Sequence, residues 1–127
     1  MYSFRANHIF SDDDGQAVTI GFADNAHEPS RFVILQLAHQ FDEQDKKTGM
    51  DQLFIQVENQ HRSQYGGISS IEVRDNVLVL HLAKSAMLSL QIDDRIQIAL
   101  DEEHPDVDAA ISQLENIAGR EGLPFTR

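Results

Sequence analysis

The 127-residue sequence contains no cysteine, which excludes disulfides and thiolate metal sites. It also lacks a long apolar run. Stretches such as Phe32-Val33-Ile34-Leu35 are only a few residues long. About 20 apolar residues are needed to cross a bilayer. The first residues, Met1-Tyr2-Ser3-Phe4-Arg5-Ala6, do not form the apolar core of a signal peptide. Together these absences predict a protein that is cytoplasmic when free. Positive charge is scarce as well. Ten Lys and Arg residues stand against twenty-one Asp and Glu, for a formal charge of −11. Nucleic-acid binding draws most of its affinity from cations on phosphates. Anionic membrane surfaces likewise attract basic segments. Neither partner is expected here. Opposite potentials speed encounter between proteins, so a basic protein partner is favoured. Acidity also serves plain solubility.

The length is that of one compact domain, and 1–127 is read as a single unit. Most apolar residues fall in short runs between polar turn signals, the pattern of a strand-rich chain. Strands are predicted over residues 2–10, 16–23, 31–40, 52–58, 68–74, 77–83 and 92–100. Residues 2–10 alternate apolar and polar except at Ile9. The run Phe32-Val33-Ile34-Leu35 suggests a strand buried on both faces. Asp75-Asn76 suits a two-residue hairpin turn with Asn in the left-handed region. One helical turn is allowed in the polar stretch 41–49, and a short helix over 84–90. The clearest helix is C-terminal. Val107, Ala110, Ile111, Leu114, Ile117 and Ala118 form one apolar stripe. Pro105 suits its first position and Gly119 its stop. The expected fold is α+β: a mainly antiparallel β-sheet of about seven strands, with the C-terminal helix packed on it. Open sheet and barrel are both compatible with this pattern.

Catalytic and metal signatures fail one by one. Asp12-Asp13-Asp14-Gly15 resembles the start of a calcium loop, but the fifth and twelfth positions are Gln16 and Ala23. None of the six histidines forms HExxH or another helical ligand pair. His27 beside Glu28, near Asp24, makes at most a weak metal loop. There is no GxSxG elbow, and Tyr65-Gly66-Gly67 lacks the lysine of a phosphate loop. No catalytic residue, metal or cofactor is therefore assigned, and the chain is not expected to be an enzyme.

Two acidic loops remain as candidates for partner binding, because loops carry function more often than core strands. Asp24 and Glu28 belong to the first; Asp42, Glu43, Asp45, Met50 and Asp51 belong to the second. The carboxylates suit arginines or lysines on a partner. Met50 and Tyr65 add adaptable or amphipathic anchors.

The segments Gly21-Phe22-Ala23-Asp24, Glu28-Pro29, Leu35-Gln36, Phe41-Asp42-Glu43-Gln44-Asp45, Gly49-Met50-Asp51 and Tyr65-Gly66-Gly67-Ile68 resemble the immunity protein 10 family of bacterial polymorphic toxin systems. The resemblance covers roughly residues 21–100. It implies an antitoxin-like protein that binds and neutralises a cognate toxin domain, by analogy a basic one. It carries over no residue roles. Two other readings stay open beside it. One is a self-associating structural module, a homodimer included, joined through a sheet edge. The other is a small ligand-binding or hydrolytic β-domain with an enclosed polar pocket.

Overall fold

A computed structural model describes residues 2–127. The chain is α+β, with two five-stranded sheets, three helices and one shared core. Its elements in chain order are β1 Tyr2–Ala6, β2 His8–Asp13, β3 Ala17–Ala23, β4 Phe32–Ala38, α1 Glu43–Thr48, β5 Phe54–Val57, β6 Ser63–Tyr65, β7 Ile68–Arg74, β8 Val77–Leu82, α2 Lys84–Leu90, β9 Arg95–Leu100, α3 Val107–Glu121 and β10 Phe125–Thr126. Sheet A has the order β1-β9-β8-β7-β10, and sheet B the order β2-β3-β4-β5-β6. All neighbours are antiparallel except β1 with β9 and β10 with β7.

The expected strand over 2–10 is in fact two strands in different sheets. Tyr2, Phe4 and Ala6 share the face that Ile96, Ile98 and Leu100 turn to the core. Ile9 is also fully buried, yet it lies on the opposite parity from Ala6. A single strand cannot bury both parities on one face. The chain therefore breaks at Asn7, whose amide donates to the Ala23 carbonyl at 3.0 Å. The Ile9 exception in the alternation was the mark of that change of sheet.

Within sheet B, Ile9, Val18, Ile20, Phe22, Val33, Leu35, Leu37, Ile55 and Val57 all face the core. The opposite parity faces out. Strand β4 is thus not buried on both sides, as its apolar run had suggested. Val33 and Leu35 are fully buried, whereas Phe32 and Ile34 are only partly covered. Strand β4 pairs with β3 and β5, so this low-charge strand does not lie at an edge.

The hairpin at Asp75-Asn76 forms as expected, with both residues at positive φ (52° and 62°). The C-terminal helix also forms, and its whole predicted stripe is buried. Its ends differ from expectation. Pro105 lies two residues before the first helical residue, and Asp106 is the N-cap. Gly119 is passed without a break. The helix ends instead at Gly122, at φ 67°, whose amide donates to the Ala118 and Gly119 carbonyls. Four strands replace what looked like loop or continuous strand. Beyond the break at Asn7, Ser63–Tyr65 forms β6 and Phe125–Thr126 forms β10. The last expected strand begins at Arg95, not residue 92.

Helix α3 packs against β2 and β3 and is tied to sheet B at its end. Arg120 donates to the Ala38 carbonyl at 2.6 Å, and Glu121 accepts from the Leu53 amide at 2.5 Å. The tail then returns to sheet A, where β10 pairs with β7. Pro124 is tolerated because this is an edge strand. Leu114 is fully buried in α3, so Leu114→Ala should lower unfolding free energy by about 3 kcal/mol, as for other buried leucines. Urea unfolding measures it. A loss below about 1 kcal/mol would place α3 outside the cooperative core.

Candidate functional site

The outward face of sheet B is set by its register. At one end His8, Ala23 and Phe32 lie side by side. Next come Phe10, Gly21, Ile34, Gln56 and Ser63, then Asp12, Thr19, Gln36, Phe54 and Tyr65. Ala17 and Ala38 close the far end. From Ala17 to Ala23 is six strand residues, about 20 Å.

The first acidic loop leaves sheet B at the His8 end. Asp24 holds this loop shut. Its carboxylate accepts from the Ser30 amide at 3.1 Å and from the Ser30 hydroxyl at 2.5 Å. That hydroxyl is the main reason the Asp24 carboxyl lies below the usual range. Glu28, at φ 51°, is exposed, and its carboxylate has no hydrogen-bond or ion-pair partner among the described residues.

The second loop leaves at the Ala38 end and folds into α1. Asp42 and Asp45 cap each other's backbone reciprocally. The Asp45 amide donates to Asp42 at 2.7 Å, and the Asp42 amide donates to Asp45 at 3.1 Å. Gly49, at φ 76°, ends the helix and turns Met50 outward. Glu43 is exposed and Asp51 half-exposed; neither carboxylate has a hydrogen-bond or ion-pair partner among the described residues. Lys46 and Lys47 sit in the last turn of α1.

Tyr65 ends β6 and leans on Phe54, with ring centroids 5.2 Å apart at 57°. Gly66 and Gly67 follow at φ 73° and 92°, which lets the chain leave sheet B and enter sheet A. The Tyr-Gly-Gly turn thus has a folding role, and Tyr65 is left 42 % exposed at its mouth.

Three of the eight predicted residues therefore converge. Asp45, Met50 and Tyr65 line one depression of about 230 Å³ with Phe41, Gln36 and Phe54. Asp24 and Glu28 do not reach it. Their loop instead supplies Ala26 and Pro29 to a second depression of about 230 Å³, floored by Phe10, Phe32 and Ile34. The two loops stand at opposite ends of one sheet face. Sequence reasoning missed Phe10, Phe32, Ile34, Gln36 and Phe54. Their signal was present, since an apolar residue on the wet parity of a strand needs another partner.

A larger cavity, about 740 Å³, lies elsewhere, between Tyr2, Arg31, Glu58 and Arg62. Its groups are engaged with one another. The Tyr2 hydroxyl donates to Glu58, and Arg62 pairs with Glu58 at 3.2 Å while donating to the Leu90 carbonyl at 2.8 Å. Arg31 donates to the Ser3 carbonyl at 2.6 Å. Burial, followed by the Glu58 carboxylate, pushes the Tyr2 phenol above its ordinary value. This cluster reads as a clamp between the sheets. Among the described residues, no three His, Asp or Glu side chains are grouped to hold a metal.

The chain is thus a two-sheet α+β domain with a partly apolar face between two acidic loops. More particularly, the chain belongs to the Immunity protein 10 family, whose model matches residues 4–108. No curated protein matches it in sequence. The matched region includes all of sheet B and both acidic loops, and stops in the first turn of α3. No helix is long and apolar enough to cross a membrane, among the described residues.

Asp13, Asp14 and Asp24 are all held below the ordinary carboxylate value. His39 is the main cause at Asp13, the Ala17 and Gln16 amides at Asp14, and Ser30 at Asp24. A lowered folded-state pKa means the folded form stays ionised longer on acidification. The stability this adds is complete above about pH 3.9, the unfolded value, and is lost as pH falls through the lowered values. Carboxyl carbon shifts followed by NMR should show these three titrating below the ordinary aspartate value. Ser30→Ala should move Asp24 back up and leave Asp14 in place.

Proposed function

We propose that this chain is an immunity protein that binds a cognate toxin domain and neutralises it by occupancy, without turning over a substrate. Family membership supports the toxin-system role. The partner is basic, and the acidic surface facing it is built from the two loops. The observation that carries this reading is the placement of free carboxylates. Glu28, Glu43 and Asp51, with Asp12 on β2, have no hydrogen-bond or ion-pair partner among the described residues, in a chain of net charge −11. Asp24, Asp42 and Asp45 differ, since each already holds local backbone. They shape the loops and add field. The free carboxylates meet the partner's cations directly.

Self-association through the low-charge strand has no support, because β4 is paired on both sides. A ligand-binding or hydrolytic site has little, because the groups in the larger cavity satisfy one another.

The test is co-expression with a candidate cognate toxin domain, then binding kinetics on the purified pair. The wild type should rescue growth and form a complex. Replacing the free set together (Glu28→Lys, Glu43→Lys, Asp51→Lys) should slow association on the order of tenfold or more at low salt and flatten its salt dependence. Unchanged kinetics would remove the acidic loops from the interface.

A further inference from the structure

The outward face of sheet B has the make-up of an interface centre. Helix α1 flanks one end of it, where Asp45 lines the depression beside Gln36 and Phe54. Gln36 at its middle is exposed, and Ile34 and Phe54 are only partly covered. The face is also stiff. Phe10 lies so close over Gly21 that a Cβ there would fall 2.0 Å from the ring. Gly21 is the one position on this rung without a side chain, and Phe10 occupies the space. His8 stacks beside Phe10 at 6.0 Å, as Phe54 does beside Tyr65. Aromatic rings held in this way lose little freedom when a partner covers them.

Five strands at about 4.8 Å spacing, the longest about 20 Å, give at most roughly 400 Å² of face, polar positions included. That is at most half of the ~800 Å² per partner that a specific complex buries, so the flanking loops must take part.

We infer that the outward face of sheet B, from Phe10 to Tyr65, is the desolvated centre of the toxin contact. Its occupant is a basic toxin domain that inserts apolar side chains into the two depressions and sets Lys or Arg against the carboxylates at the rim. This inference rests on the immunity reading above. Charge selects this occupant over a second copy of the chain. Two copies face to face would oppose the same acidic rims, each on a chain of −11. Gln36 lines one depression, two residues along β4 from Ile34 in the other, and its exposed amide can meet a partner's polar group.

The test uses the full chain against the same toxin domain. Gln36→Arg places a cation at the centre of the face on an exposed position, so folding is retained. It should weaken binding about 30-fold or more, as at the centre of other interfaces. Tyr65→Ala should weaken it about tenfold, chiefly through faster dissociation. Ser112→Arg, the same charge on the solvent side of α3, should stay within about threefold of wild type. If Gln36→Arg and Tyr65→Ala both bind like wild type while wild type neutralises the toxin, the contact lies elsewhere; this inference falls and the immunity reading stands. If wild type neither binds nor neutralises, both fall. A wild-type dimer in light scattering that Gln36→Arg makes monomeric would assign the face to a second copy and overturn the inference.

Discussion

The structure depends on one constraint of strand geometry: successive side chains point to opposite faces, and this chain has core for only one of them. Ala6 and Ile9 are both fully buried although three residues apart. That is possible only if the first strand hands over from one sheet to the other between them. Once Ile9 points in, Phe10 must point out, opposite Gly21 on β3 and in line with Ile34 on β4. The apolar outward face is thus not a collection of independent exposed residues. It follows from a single parity, carried across five strands by register.

Two sheets that share a core can still slide, and the ties between them fall where sliding would be costly. Tyr2, on the first strand of one sheet, donates to Glu58, which follows β5 of the other. Arg31 and Arg62 lie over the Tyr2 ring at 5.4 and 5.7 Å. Cation–π contacts and a charge-assisted hydrogen bond together fix that junction. On another side, the end of α3 is fastened to β4 and to the start of β5 through Arg120 and Glu121. The family match stops before these residues, yet the helix that bears them supplies Ala110, Ile111, Leu114, Ile117 and Ala118 to the core. The C-terminal part is accordingly structural: it braces the back of the sheet whose front is free.

What was legible in the residues follows from how local the signal was. The α3 stripe and the Asp75-Asn76 turn depend on neighbours within a few positions, and both formed as read. The general α+β class was likewise visible. The division into two sheets was not, because pairing partners such as β1 and β9 lie far apart in the chain. Strands β6 and β10, three and two residues long, are too short to show a period. Gly119 was taken as a stop because it is a glycine near the end of a stripe. The helix runs on because Gly122 alone adopts the left-handed conformation and closes the last turn. At the candidate site, the acidic loops were legible as composition. The internal duties of Asp24, Asp42 and Asp45 were not, since capping and loop closure appear only when the backbone is in place. Phe32 and Ile34 were read as core because an apolar run looks the same whether its outer face meets a second layer of the same chain or another molecule.

If the sheet B face meets the toxin as proposed, its rim and its centre would have different physical consequences. Exposed carboxylates act over about a Debye length and govern how fast partners meet; they contribute little once contact is made, because water and salt screen them. Covered aromatic and aliphatic groups act only at contact and govern how slowly the complex parts. A purely acidic surface would capture a basic toxin quickly and release it quickly. An apolar face without a charged surround would hold well but find its target slowly and would tend to meet its own copies. Charge repulsion at the rim therefore makes the apolar centre tolerable on a free protein, and the apolar centre makes the charged capture last. On the proposed reading, Glu28, Glu43 and Asp51 would serve capture and Phe10, Ile34 and Phe54 would serve holding, two actions that separate in kinetics.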